Sequence, residues 1–424
     1  MSADIQGLFS GVAVIIDDQA DTGKEPGITA ILDTIRAAGG LAIVHQSLPK
    51  TSMLRNYSNV AFVMMDWDLS PPEARLSDDQ KAGLYQDNVE FIRALGAHRH
   101  TPVVIFTNEN INDVRAVLEV HADMKDHLDS GRILLKDKGE VGDQIYAVLN
   151  KWAAEVPSVY TLKTWEQESV RALNELFMDL HDRSPHWPVM LWESYSKDGP
   201  TPADDLGKLI TRLVASRMDQ LPLDLTHFVP DIDEKHEQNP EKYEKTLQLV
   251  LSGERFLDAK RLHVSSSAPG DVFQQPKATK TIWVNIRPEC DAVRREGVEK
   301  YPDLYLLKGE LIDQSKIDIG ENYGEIRDRD DQFTIYAMLD GKSYRFGFKD
   351  MEIKPREAWI ACRKGRLLPP FSTRLQQKYA AYLQRSGVPA VPRVLRKKIA
   401  VADQVAPDTG QAPQAAPPAP PATT

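Results

Sequence analysis

The chain has 424 residues, 42% of them hydrophobic and 27% charged, with a formal net charge of −10. Its length exceeds one ordinary domain, its mix is that of a globular protein, and its acidic balance argues against a protein built mainly to coat nucleic acid, which needs clustered Lys and Arg. No apolar run approaches the ~20 residues of a membrane helix, and two cysteines, Cys290 and Cys362, supply neither a disulfide framework nor a CxxC metal site. The N-terminal "MSADIQGLFSGVAVIIDD" lacks the basic leader and cleavage site of a signal peptide and reads as a first strand. Cytoplasm is therefore the expected compartment, and no membrane partner is expected.

From residue 11 to about 152, apolar runs alternate with amphipathic stretches. "GVAVIID" (11–17), "GLAIVHQS" (40–47), "VAFVMMD" (60–66), "PVVIFTN" (102–108) and "RILLKD" (132–137) read as short strands buried on both faces. Helical spacing falls between them, at 27–38, 88–95, 112–123 and 141–153. Such alternation predicts an α/β domain, a doubly wound, flavodoxin-like five-stranded parallel sheet, over residues 10–153. From 158 to 262 the strand runs give way to helical spacing at 165–183, 204–220 and 240–262, a helical domain or connector whose Trp165, Trp187 and Trp192 read as core or interface anchors. Residues 265–392 read as a small, mostly β module with a hairpin turn at Asp340-Gly341 and a closing helix at 372–387. The Ala/Pro-rich stretch 402–424 is expected to be a disordered tail, and the one dense basic cluster, "RVLRKK" at 393–398, reads as solvated charge beside it.

In an open parallel sheet the functional crevice lies beyond the carboxyl ends of the strands. Asp17 and Asp18 follow the first strand and Asp66 ends the third. Thr107 ends the fourth and Lys136 the fifth, so three carboxylates, a hydroxyl and an ammonium are expected to meet at one edge. Clustered carboxylates repel and stay ionised together only when a cation compensates them. A set of few carboxylate oxygens is what Mg²⁺ prefers. A carboxylate held there can attack a phosphoryl group if the charge on the transferring oxygens is neutralised.

Residues 10–153 resemble the receiver domain of two-component response regulators. The likeness is carried by the acidic pair Asp17 and Asp18, Asp66 in "MMDWDLSP", Thr107 in "VIFTN" and Lys136 in "ILLKD". It implies that Asp66 accepts a phosphoryl group from a sensor histidine kinase. It also implies that Asp17, Asp18 and Asp66 hold Mg²⁺ with the backbone carbonyl of Asp68, that Lys136 pairs with the acyl phosphate, and that Thr107 reports occupancy. Asp68 and Glu109 stand where the family tunes hydrolysis of the phosphate. Two positions depart from the pattern: Asp137 follows the lysine where receivers usually carry Pro, and Ile133 stands at the aromatic switch position.

No helix-turn-helix, cyclase signature, paired-His metal motif or P-loop is evident in the remainder, so nucleic acid is not an expected partner. "GDVFQ" (270–274) with "VNIRPECD" (284–291) is the best candidate for a second site. No histidine comes after His263, however, so Cys290 lacks a base and reads as a buried structural cysteine beside a turn Asp291. Residues 265–392 vaguely resemble the non-DNA-binding modules fused to receivers in bacterial anti-phage defence systems. Three readings stay open: a regulator signalling to an effector protein through its C-terminal region, a phosphate sink that drains a kinase away from a sibling response regulator, and an enzyme in the β module gated by the receiver. No turnover is expected beyond phosphorylation and autodephosphorylation of the receiver.

Overall fold

Near-continuous apolar runs are stable as strands only when both faces of their sheet are covered, and the N-terminal region meets that condition. The computed structural model describes residues 7–20, 23, 25–50, 52–53, 59–70, 76–98, 100–198, 202–218, 221–294, 298–313, 333–339 and 342–384. Strands β1 (Val12–Ile16), β2 (Leu41–His45), β3 (Val60–Asp66), β4 (Val103–Thr107) and β5 (Ile133–Asp137) form a parallel sheet in the order β2-β1-β3-β4-β5. Successive residues of a strand point to opposite faces. Ile15, Phe62, Met64, Val104 and Phe106 pack with helices α1 (Pro26–Ala37) and, after β5, Ile145–Glu155. Ile16, Val63, Met65, Val103 and Ile105 pack with α2 (Asp78–His98), α3 (Ile111–Glu119) and α4 (Ala122–Asp129). The helix Ile145–Glu155 is α5.

Helix α2 is far longer than the predicted 88–95, because its first turns are polar and carry no apolar stripe. A capping box starts it: Gln80 Oε1 accepts from the Ser77 backbone N–H at 2.9 Å, and Ser77 Oγ accepts from the Gln80 N–H at 3.4 Å. The stripe predicted at 112–123 is divided between α3 and α4, with Val120 and His121 at the break.

The next stretch is helical, in α6 (Pro157–Arg183), α7 (Trp187–Asp198), α8 (Pro202–Ala215), α9 (Val229–Gln238) and α10 (Pro240–Arg255). Val159 and Tyr160 at the start of α6 are buried in the same cluster as Phe9, Phe62 and Phe228. Trp165 and Trp192 are about half exposed, so they are not core residues, while Trp187 leans on Phe177 with ring centroids 5.8 Å apart. Among the described residues, no helix is long and apolar enough to cross a membrane. The chain divides into two compact units; the first runs to Thr246, within α10, and also takes in Arg294 and Val298.

The second unit contains a seven-stranded antiparallel sheet. Its strands are β6 (Phe256–Asp258), β7 (Asp271–Phe273), β8 (Thr281–Asn285), β9 (Leu304–Leu311), β10 (Phe333–Met338), β11 (Lys342–Lys354) and β12 (Arg363–Leu367), in the order β10-β11-β9-β8-β7-β12-β6. The predicted hairpin is β10–β11, with Met338 opposite Lys342. Its turn at Asp340-Gly341, the basic cluster at 393–398 and the stretch 402–424 lie outside the described residues. Helix α11 (Phe371–Gln384) is the predicted closing helix, and its Leu375 packs with Val272, Val284 and Phe346.

The "GDVFQ" candidate is strand β7, and its carboxylate is structural. Asp271 is fully buried and accepts from Arg366 Nε at 2.6 Å, from Arg363 Nη1 at 3.5 Å and from the Ala268 backbone N–H at 3.1 Å. Gly270 before it has φ +89°, and a Cβ there would lie 2.1 Å from the Leu367 carbonyl oxygen, so only glycine admits that approach. Cys290 is exposed. Removing one member of a buried charge group strands the others, so Asp271→Ala should cost about 3 kcal/mol. Urea unfolding of the full chain checks this, and an unshifted transition for the second unit would contradict the assignment.

Candidate metal centre

β1 and β3 are neighbours in the sheet, and both run out into aspartate at the same edge. Asp17 is fully buried, Asp66 is 6% exposed and Asp18 is half-buried. One carboxylate oxygen from each lies within 4.8 Å of the others, which is a geometry that could hold a metal ion. Backbone amides hold two of the three in place: Asp17 Oδ1 accepts from Gln19 N–H at 2.8 Å and Asp66 Oδ1 from Asp68 N–H at 3.4 Å. Asp18 Oδ2 is buried with no hydrogen-bond partner. A buried lone oxygen beside two further carboxylates is a poor arrangement for a closed structural cluster and a suitable one for a cation.

The compensating charge is Lys138. Its ammonium, 3% exposed, donates to Asp66 Oδ2 at 2.5 Å, Asp17 Oδ2 at 2.9 Å and Glu25 Oε2 at 3.1 Å. Four carboxylates, those of Asp17, Asp18, Glu25 and Asp66, thus face one ammonium. Burial pushes the Asp66 carboxyl up to about 7, with the charge of Asp17 adding to the rise and Lys138 opposing it. Burial, then the charge of Asp17, likewise raises Asp18. Burial alone would lower the Lys138 value, but the Asp66 and Asp17 carboxylates outweigh it and hold the ammonium above the ordinary lysine range.

The lysine at the carboxylates is Lys138, whereas the sequence pointed to Lys136. The sheet register supplies the reason. Asp66 pairs with Phe106, and Phe106 with Lys136, so Lys136 stands level with Asp66 but two strands away, with Phe106 between them. Lys136 is half-buried and forms no ion pair among the described residues. Lys138 lies just beyond the strand end, in the single helical turn Lys138–Val141, where its side chain arches back over β4 with Nζ 5.0 Å from the Phe106 ring centroid. Asp137 shapes this turn as its N-cap, its side chain accepting from the Gly139 N–H at 2.7 Å.

The other predicted residues divide. Thr107 is fully buried at the end of β4, one residue past the partner of Asp66, and its hydroxyl oxygen accepts from the Glu109 N–H at 3.1 Å. The Asp68 carboxylate is not one of the three convergent groups; it turns to the Ser70 N–H at 3.0 Å and to Lys81 at 3.9 Å. Lys81 also approaches Glu109 at 3.7 Å. Sequence reasoning missed Lys138 and Glu25. The short spacing Lys136-Asp137-Lys138 held the signal for the first, since an Asp followed by Gly two residues on marks a turn that re-aims the lysine between them. Glu25 had only the Pro26 behind it, which marks a helix start.

No known protein-family model matches this chain, and no curated protein matches it.

Lys138→Ala should destabilise the metal-free protein by about 3 kcal/mol, because it strands buried carboxylates, while Lys136→Ala should change stability by less than about 1 kcal/mol. Denaturant titration of both variants separates the two lysines, and equal losses would refute the geometry. Asp66 also fixes the sign of a pH effect. Its folded value of about 7 lies above the ordinary 3.8, so between these limits the folded state binds more protons than the unfolded chain, and stability falls as pH rises. Asp66→Asn should flatten that slope and raise the metal-free stability at pH 8 by on the order of 2 kcal/mol. Unfolding curves between pH 5 and 8 decide it, since an unchanged slope would assign the titration elsewhere.

Proposed function

We propose that residues 10–153 are a receiver-type phospho-acceptor module in which Asp66 takes a phosphoryl group from a sensor histidine kinase. The observation that carries this reading is a single one. A strand-end carboxylate shares its buried pocket with two further aspartates and one ammonium, at the carboxyl edge of a sheet ordered β2-β1-β3-β4-β5. That edge is where open α/β sheets place their ligands.

Asp17, Asp18 and Asp66 would hold Mg²⁺, and the orphaned Asp18 Oδ2 fits that role. When bound, the ion supplies neutralisation of charge on the transferring oxygens. The chain's own groups do the rest. An Asp66 oxygen forms the new bond to phosphorus, the bond from phosphorus to the donor's leaving group breaks, and the leaving group departs with the electron pair. Lys138, not Lys136, is the ammonium that would pair with the acyl phosphate, because it already touches the attacking carboxylate. With Lys138 in that role, the residue three positions earlier is Leu135, a buried core residue rather than an aromatic switch. Thr107, buried beside this edge, is the hydroxyl that would respond to occupancy.

For the output, we favour signalling to a protein partner through the C-terminal region. The buried acid of the second unit is taken up by Arg363 and Arg366, which supports a binding role over a gated catalytic one. The phosphate-sink reading predicts the same chemistry at Asp66 and differs only in the fate of the phosphoryl group. Purified protein should gain one phosphoryl group, about 80 Da, from acetyl phosphate with Mg²⁺ but not with EDTA, and Asp66→Asn should gain none. Intact mass measurement reads this directly. An adduct that persists in Asp66→Asn, or none in the wild type, would remove the phospho-acceptor reading.

A further inference from the structure

Glu25 is the carboxylate at this edge that the phospho-acceptor chemistry leaves without a task. It is not one of the three convergent metal-ligand carboxylates, yet its side chain is only 14% exposed and both of its oxygens are engaged. Oε2 accepts from Lys138 Nζ at 3.1 Å, and Oε1 accepts from Asn108 Nδ2 at 3.1 Å. These contacts join three segments that are remote in sequence: the approach to α1, the loop after Thr107, and the turn after β5.

The local backbone keeps Glu25 in place. Pro26 at the first helical position restricts the residue before it to extended backbone, and Glu25 has φ −99° and ψ 111°. Its carbonyl oxygen accepts from the Thr29 N–H at 3.3 Å and from Thr29 Oγ1 at 3.0 Å. The carboxylate therefore projects from the fixed start of a helix. Helix α1 is itself anchored in the core by Ile28, Ile31, Leu32 and Ile35.

Lys138 is shared among Asp17, Asp66 and Glu25, and two of these three are proposed to turn their oxygens toward a cation and a phosphoryl group. Glu25 is the one of the three whose oxygens that chemistry does not call on. We infer that Glu25 is a positioning residue which holds the Lys138 ammonium in reach of the phosphoryl group on Asp66 and, through Asn108, ties it to the loop beyond Thr107. This regulation rests on the phospho-acceptor reading of the same site. Movement of the lysine toward a phosphoryl oxygen then pulls on the loop that directly follows the reporting hydroxyl, with no contact required between Lys138 and Thr107.

The test compares wild type, Glu25→Gln, Glu25→Asp, Lys138→Met and the double variant Glu25→Gln/Lys138→Met as full-length proteins. Mg²⁺ affinity is read by isothermal titration calorimetry, and adduct formation from acetyl phosphate is read by intact mass. Glu25→Gln should bind Mg²⁺ within about threefold of wild type while its maximal rate of adduct formation falls about tenfold, with Glu25→Asp between them. In the Lys138→Met background the same change should have no further effect on rate, which a merely structural role of Glu25 would not produce. A wild-type rate in Glu25→Gln, or losses that multiply in the double variant, would overturn the inference and leave the phospho-acceptor reading standing. Absence of any adduct in the wild type would overturn both. Retained Mg²⁺ binding by Glu25→Gln shows that the variant has folded, and if it binds none, the rate of Glu25→Asp decides: a wild-type rate there overturns the inference and an intermediate one supports it.

Discussion

One buried ammonium against four carboxylates is the constraint on which the N-terminal unit depends. Moving charges out of water is costly, and the cost is offset only by close, well-oriented partners. Lys138 has three such partners within 3.1 Å, but Asp18 Oδ2 has none. The cluster is therefore compensated enough to exist and not enough to be closed. That residual imbalance separates a site from an ordinary buried ion pair.

The second unit shows the alternative. Asp271 is as deeply buried as Asp17, yet its oxygens are taken by Arg363, Arg366 and a backbone amide. The arginines are in turn occupied with the loop that precedes β7: Arg363 reaches the His263 carbonyl at 2.8 Å and Arg366 the Ser266 hydroxyl at 3.0 Å. Every group there is spent on holding chain segments together. Buried charge alone does not mark function, and the balance of donors and acceptors around it is what distinguishes the two cases.

The parallel sheet turns a local sequence feature into a rigid one. Asp66 continues a strand whose seven residues are all buried and whose neighbours on both sides are paired. Its carboxylate therefore has little freedom to move away from Asp17 when both are ionised. Repulsion that a flexible loop would relax is retained at the strand edge, where it adds to the burial that is the main cause of the raised Asp66 value. The ion that such an edge would take is drawn by the same repulsion.

Much of this was legible in the sequence. Five continuous apolar runs with helical spacing between them determined a doubly wound parallel sheet, since only strands covered on both faces are apolar throughout. Three of those runs end in the aspartates and threonine that the sheet then brings together, because parallel strands all present their carboxyl ends to one edge. The short strands β6 and β7 escaped notice, as three residues carry no period, and so did the polar first half of α2. The Asp137 and Gly139 spacing marks a turn in the sequence, but not which of two lysines, 136 or 138, that turn brings to Asp66. That choice was made by the register of β5 against β4, which sets Phe106 between Lys136 and the carboxylate, and by the Asp137 cap, which turns the next side chain back over the ring. Only tertiary structure could bring in Glu25, because its partners Asn108 and Lys138 are more than eighty residues away along the chain and adjacent only once the sheet has formed.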